Sequence, residues 1–282
     1  MSRTLTFSLT LLAMIAFAGN SLLCRLALKH TSIDAASFTS IRIISGALTL
    51  WLITRMRGGT HGAAGSWPSA LALFGYAAGF SYAYVSLPAA TGALLLFGAV
   101  QATMIGYGLW AGERLGMRQS VGLICAFSGL AGLLFPGLSA PPLPGSVLML
   151  GAGVAWGVYS LRGKGAGDPT CVTAGNFLRA APVAAVLSVV TLPWNSLDSS
   201  GFWYAVSSGA LASGVGYAIW YTALRGLKAT SAATVQLSVP VIAAVGGIVF
   251  LGEAITLRLL TASTAILGGI ALVIVDRRPA KG

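Results

Sequence analysis

Six acidic residues, two histidines and three cysteines are the chain's inventory for bond-making chemistry, and their positions argue against any such chemistry. Asp34, Glu113, Asp168, Asp198, Glu253 and Asp276 all stand at the ends of apolar segments or between them, as do His30 and His61. A serine nucleophile needs a base within hydrogen-bond reach, and magnesium-dependent transfer needs clustered carboxylates. The sequence holds neither pattern inside an apolar segment. Cys24, Cys125 and Cys171 are odd in number, lack metal-ligand spacing and read as small apolar fillers. The sequence predicts no enzyme, no metal and no cofactor.

What remains is chemistry of recognition. Asn20, Gln101 and Gln236 are uncharged polar side chains within long apolar runs, where an amide faces protein or a cavity. Arg42 and Arg179 also lie inside such runs, 137 residues apart. An arginine at mid-bilayer costs roughly 2.5–3.5 kcal/mol on insertion scales and therefore turns inward or towards water. These two are candidates for a substrate carboxylate or a gate; structural snorkelling is the plainer alternative. Tyr82, Trp156, Tyr159, Tyr217 and Tyr221 lie deep enough for a hydroxyl or indole N–H to need a partner, and they are candidates for a cavity wall. Trp156 and Tyr159, three apart, share a helical face. Tyr84 and Trp203 sit nearer segment ends and read as interfacial belt residues. Pro182 and Pro240 interrupt the backbone ladder of their segments and are candidate hinges. Gly112-Glu113 and Gly252-Glu253 close two apolar segments, as gates or as solvated helix ends.

The elements that carry these residues follow from composition. Hydrophobic residues make up 56% of the chain, charged residues 8%, and mean hydropathy is +0.84. A soluble domain carries about 25% charged residues. Apolar runs of the length that spans the hydrocarbon core occur near 5–28, 34–54, 67–87, 91–111, 116–135, 145–162, 172–193, 202–224, 230–251 and 257–275. They lack the alternation of membrane strands. The expected fold is an all-α integral membrane protein of ten transmembrane helices. Ala16-Phe17-Ala18 resembles a signal-peptidase site, but apolarity continues through Leu28, so the first helix is expected to be retained.

The chain is written twice. Ala90-Thr91-x-Ala93 recurs as Ala229-Thr230-x-Ala232, Gly112-Glu113 as Gly252-Glu253, Arg118 as Arg258, and Gly129-x-Ala131 as Gly269-x-Ala271. The offset is about 139 to 140, half the chain, which marks an internal duplication. Five helices per repeat is an odd number, so the second repeat is expected upside down relative to the first. The net charge of +11 fits that topology. With both termini cytoplasmic, twelve basic residues fall on the cytoplasmic side and three (Arg25, Lys29 and Arg258) on the other. The cations are scattered over short loops, which excludes a nucleic-acid patch. The expected division is a first repeat at 1–137, a Pro-rich linker at 138–144, a second repeat at 145–276 and a short basic tail at 277–282.

At this point a family resemblance emerges. Tyr217-Ala218-Ile219-Trp220-Tyr221-Thr222-Ala223-Leu224, then Ala232, Pro240 and Gly252-Glu253, resembles the second-repeat pattern of drug/metabolite transporters with two EamA domains. Trp156-Gly157 is similar to the pair that commonly opens a repeat; the first repeat has Ala18-Gly19 there. The Tyr- and Trp-rich middle is similar to the aromatic amino acid exporters of that superfamily. The resemblance implies a cavity enclosed by helices 1, 3, 4, 6, 8 and 9, with 5 and 10 at the periphery. One departure is Val100-Gln101, where many members have proline, which leaves a kink of the fourth helix without its residue. The expected function is export of amino acids, aromatic or neutral, by alternating access. With no carboxylate or histidine in mid-span, it would work as a facilitator. Transport of an anionic metabolite or another small molecule, with Arg42 and Arg179 binding charge, is the alternative. The expected setting is the bacterial inner membrane, with a small-molecule substrate and the lipid bilayer as partners; the sequence does not fix an oligomeric state.

Overall fold

The computed structural model describes residues 2–58, 64–112, 114–137, 140–163, 167–227 and 229–275. Glu113, His61, Lys164, Lys228, Asp276, residues 138–139 of the linker and the basic tail at 277–282 lie outside the described residues. Every regular element among the described residues is helical. In the first half these are α1 (Arg3–His30), α2 (Ala35–Met56), α3 (Trp67–Tyr84), α4 (Ala89–Trp110) and α5 (Met117–Leu134). The second half has α6 (Leu143–Arg162), α7 (Pro169–Val190), a 3-10 turn (Leu192–Trp194), α8 (Ser199–Ser207), a π-helix (Ser208–Val215), α9 (Gly216–Leu224), α10 (Ala229–Gln236), α11 (Ser238–Leu251) and α12 (Leu257–Val275). Among the described residues, 8 helices are long and apolar enough to cross a membrane. The two remaining apolar runs are also helical, as α3 and as the α8–π–α9 sequence.

Local chemistry sets the boundaries. Asp34 accepts from the N–H groups of Ala36 and Ser37 at 2.9 Å and so caps α2. Asp168 caps α7 in the same way, accepting from Thr170 at 2.9 Å and Cys171 at 3.0 Å. Such caps satisfy amides that a helix start leaves without partners. Gly112 follows α4 with φ +93° and Gly252 follows α11 with φ +61°, a left-handed stop that glycine adopts without steric cost. The repeated Gly-Glu pair thus has its glycine explained as a helix terminator.

The paired helices are α5 with α12, α2 with α7, α3 with α6, α4 with both α6 and α11, and α1 with α9 and α11. α5 and α12 meet through small residues, with Gly122 and Gly269 each lying against the other's backbone carbonyl. α2 and α7 are joined by polar contacts. Ser188 donates to Ser40 at 2.7 Å, and Ser40 donates to the Ala184 carbonyl at 2.8 Å. The core runs through the middle of the helices, while Phe250, Val249, Trp110 and Leu48 point outward as an apolar coat.

Tyr84 departs from the expected interfacial belt. It is fully buried, its hydroxyl donates to the Ala89 carbonyl at 3.2 Å, and its ring packs against Gly92. Trp203 is exposed. The π-helix was not expected. It sits in a run of small residues and brings Gly209 against the Arg42 carbonyl of α2, and short π segments recur at functional sites.

Candidate functional site

A cavity of about 330 Å³ lies between the helices, at the lower end of the roughly 300–1,000 Å³ seen for small-molecule sites. Asn20, Trp156, Tyr159, Tyr217, Tyr221 and Gln236 line it, six of the eight residues singled out as wall candidates. The other two lie elsewhere. Tyr82 is 38% exposed on the outer surface of α3, and Gln101 is buried in α4 but does not line the cavity. Helical geometry explains the first case. Tyr76 and Phe80, one turn apart, face the cavity, and at about 100° per residue Tyr82 lies about 240° round the helix from Tyr76. The lining also comes from α7, through Val172, Thr173 and Asn176, which the expected set of enclosing helices omits.

Aromatic rings form the central wall. Trp156 stacks on Tyr159 at 5.1 Å and 25°, and on Tyr217 at 5.3 Å and 19°. Tyr76 meets Trp156 at 4.7 Å, and Phe17 meets Tyr217 at 5.6 Å. Each such pair contributes roughly 0.5–1.5 kcal/mol beyond burial. The surface they present is flat, apolar and edged with hydroxyls.

Polar groups collect at two places. Near Gly163 and Pro169, Asn176 donates to Tyr159 at 3.5 Å, Tyr159 donates to Thr173 at 3.2 Å, and Thr173 donates to Tyr221 at 3.1 Å. Asn176 is held in turn by the Ser66 N–H at 2.9 Å. At mid-helix, the Tyr76 hydroxyl accepts from Arg42 Nη2 at 2.9 Å and from Asn20 Nδ2 at 3.3 Å. Ser208, on the π-helix, donates to Asn20 Oδ1 at 2.6 Å. Arg42 is 1% exposed, behind Tyr76 and Phe80, with its guanidinium 5.1 Å and 4.8 Å from their ring centres. No acidic side chain lines the cavity among the described residues.

Arg179 has a different setting. Its Nη1 donates to the Ala64 carbonyl at 2.7 Å and to the Gly175 carbonyl at 2.9 Å, joining α7 to the stretch before α3. It does not line the cavity.

At the other end of α1, Arg25 and Glu253 form an ion pair at 3.4 Å, with side-chain exposures of 11% and 10%. Glu253 is therefore neither loose nor simply solvated. Its Oε2 accepts from the Ala89 N–H at 2.8 Å, placing negative charge at the start of α4. Arg25 Nη1 donates to the Tyr84 and Val85 carbonyls at 2.9 and 3.0 Å, placing positive charge at the end of α3. Gly247 leaves the room that the Glu253 carboxylate occupies. The sequence identified Glu253 but read Arg25 only as a loop-side cation; its corresponding glutamate, Glu113, lies outside the described residues. The two prolines also differ. Pro182 lies inside an unbroken α7, whereas Pro240 follows a break at Leu237 between α10 and α11. A proline removes one ladder bond and clashes with the carbonyl four residues before it. α4, with Val100-Gln101 in place of proline, is continuous.

Comparison with known proteins adds a family. Residues 143–275 match the model of the EamA-like transporter family. A Pseudomonas aeruginosa protein described as uncharacterized is 57% identical over 273 residues, covering 96% of this chain and 95% of that protein. The threonine/homoserine exporter RhtA of Escherichia coli K12 is 32% identical over 170 residues, covering 57% of this chain and 56% of the exporter. The chain thus aligns with little more than half the length of that exporter. A solved crystal structure superposes over 99% of this chain and 100% of its own with a TM-score of 0.68 at 20% identity, a likeness of fold alone.

Proposed function

This chain belongs to the EamA-type transporters of the drug/metabolite transporter superfamily, and from that premise we propose that it exports neutral amino acids, aromatic ones foremost, by alternating access. It is a multi-pass membrane protein whose family is one of transporters, so its partners are a small-molecule substrate and the lipid bilayer. The observation that carries the finer reading is the stacked wall of Tyr159, Trp156 and Tyr217 around a cavity without acidic lining among the described residues. Similarity to an amino acid exporter supports the substrate class.

In this reading ten helices form two inverted repeats, 1–137 and 145–276, on either side of the 138–144 linker. Packing supports the pairing. α2 against α7, α5 against α12 and α4 against α11 are contacts between equivalent helices, and α3 against α6 has its counterpart in α9 against α1. Both termini face the cytoplasm of a bacterial cell, in its inner membrane. The cavity, whose lining reaches Gly163 and Pro169, then opens inward, and the Arg25–Glu253 pair seals the outer end as a gate. Asn20, Trp156, Tyr159, Tyr217, Tyr221 and Gln236 bind the substrate. The break before Pro240 serves as the hinge of the second repeat. Because every acidic residue falls at a segment end or between segments, the carrier runs as a facilitator.

Uptake by purified protein in liposomes tests this. The expected result is saturable uptake of phenylalanine and tryptophan above threonine, homoserine, glutamate and a sugar phosphate, independent of a pH gradient. Preference for the anions would remove the amino acid reading, and uphill uptake driven by the pH gradient would remove the facilitator.

A further inference from the structure

Arg42 is a cation at the centre of the fold with no anionic partner among the described residues. Among those residues Arg25 pairs with Glu253 and Arg225 with Asp168, both away from Arg42. Burying an uncompensated charge is strongly unfavourable, and the Tyr76 and Phe80 ring faces offset only part of that cost. Arg42 Nη1 is buried without a hydrogen-bond partner. Unmatched buried donors of this kind are rare in folded proteins and point to something that completes them.

The groups in front of Arg42 are also surplus donors. A tyrosine hydroxyl has two acceptor lone pairs and one hydrogen. Arg42 Nη2 and Asn20 Nδ2 both donate to the Tyr76 oxygen, so its hydrogen is left to donate. The Ser213 hydroxyl, on the cavity wall in the π-helix, is buried and without a partner. The Asn20 oxygen accepts from Ser208. The cavity wall thus carries two hydroxyls whose hydrogens are left to donate, and one of them is held by the Arg42 guanidinium.

We propose that Tyr76 and Ser213, charged from behind by Arg42, form the site for the carboxylate of the transported molecule. The proposal rests on the amino acid reading for the substrate's identity, but its geometry holds for any carboxylate-bearing ligand of this size. The ring of an aromatic amino acid then lies along Trp156 and Tyr217. Arg42 acts through Tyr76, as a positioning residue that raises the donor strength of the hydroxyl. The carboxylate in turn supplies the counter-charge that Arg42 lacks.

The test is a ligand series, run first on the wild-type protein and then on variants. Competition against labelled phenylalanine in liposomes is measured for phenylalaninamide and phenethylamine, which lack the carboxylate, and for 3-phenylpropionate, which lacks the amine. The propionate is expected to compete, and the other two to be at least tenfold weaker than phenylalanine. In Arg42→Gln that tenfold preference shrinks towards one, Arg42→Lys retains part of it, and Ser213→Ala and Tyr76→Phe each fall between. Equal competition by phenylalaninamide in the wild-type protein would overturn the proposal. Direct titration of the detergent-solubilised protein with 3-phenylpropionate and phenethylamine separates the two readings. Preferential binding of the propionate without transport of any amino acid sinks the export reading and leaves the carboxylate site. Transport of phenylalanine without that preference sinks the site alone, and equal or absent binding of both ligands overturns the site as well.

Discussion

α2 and α7 pack against each other and carry one mid-helix arginine each, Arg42 and Arg179, yet the two guanidinium groups have different surroundings. Arg42 turns inward, loses nearly all contact with solvent and meets two aromatic rings, a tyrosine hydroxyl and an unfilled donor position. Arg179 turns back along its own helix and binds the carbonyls of Gly175 and Ala64. An arginine bound to backbone carbonyls fixes a chain segment, whereas one behind a half-satisfied hydroxyl polarises a binding surface. The same residue type thus serves two purposes, and what the neighbouring helix offers decides between them. The π-helix beside Arg42 carries Ser208 and Ser213.

Replacing each arginine in turn and measuring transport separates the two roles. Arg42→Gln is expected to lower the turnover of a carboxylate-bearing substrate by at least tenfold, about 1.4 kcal/mol in a single charged hydrogen-bond network. Arg179→Gln is expected to change turnover little and to lower the thermal midpoint in detergent. Equal transport losses, scaled to the amount of folded protein, would show that the two sites do the same work.

The surroundings of the Arg25–Glu253 pair and those of Gly163 and Pro169 differ as well. The Arg25–Glu253 pair ties four helix ends together with four hydrogen bonds, while the end at Gly163 and Pro169 belongs to the cavity lining. Glu253→Gln keeps an acceptor for the Ala89 N–H but removes the charge facing Arg25. It is expected to weaken the tie among these helix ends by roughly 1.5–3 kcal/mol, the range for hydrogen bonds to charged groups. A cysteine introduced at Ala254 should then react faster with a membrane-impermeant thiol reagent added from the outside. Unchanged labelling would argue against a gate.

Much of this was legible in residue spacing. The apolar runs, the terminating glycines of the Gly-Glu pairs and six wall residues followed from length, helix chemistry and depth. The error at Tyr82 came from weighing depth without the helix face. Tyr76 and Phe80, four apart and so on one helical face, were the available signal. Thr173 and Asn176, three apart on the seventh segment, were an equally readable pair. Arg25 was not readable in this way, because its partners come from 59 to 228 residues along the chain. The π-helix leaves no periodic signature in a run of Ser, Gly and Ala.

The break at Leu237 gives a smaller contrast between halves, since α4 crosses the corresponding depth unbroken. Pro240→Ala restores a backbone donor and a helix former, so α10 and α11 should join and the protein should gain stability. If the break is a hinge, turnover falls several-fold despite that gain. A more stable protein with undiminished turnover would make Pro240 a packing kink.

The smallest expected difference separates the two caps. Burial pushes the Asp34 carboxyl upward, but donors from Ser37, Ser196 and Ala36 outweigh it and hold the group below its ordinary value. The Cys171 N–H, helped by that of Thr170 and by Arg225, does the same for Asp168. A depressed carboxyl contributes stability above its unfolded value of about 3.9, and that contribution is lost as pH falls through the lower, folded value. Asp34 also accepts from the Ser196 N–H at 2.8 Å, tying the start of α2 to the loop before α8. The Arg225 contact of Asp168 is a 3.8 Å pair with side chains 71% and 48% exposed, which contributes little. Asp34→Ala should therefore cost more than Asp168→Ala, within the roughly 0.5–2 kcal/mol of a lost helix cap. Melting both variants at neutral pH and near pH 3 checks the order. The gap between each variant and the wild-type protein should narrow in acid, and a gap that widened there would reverse the sign of the argument.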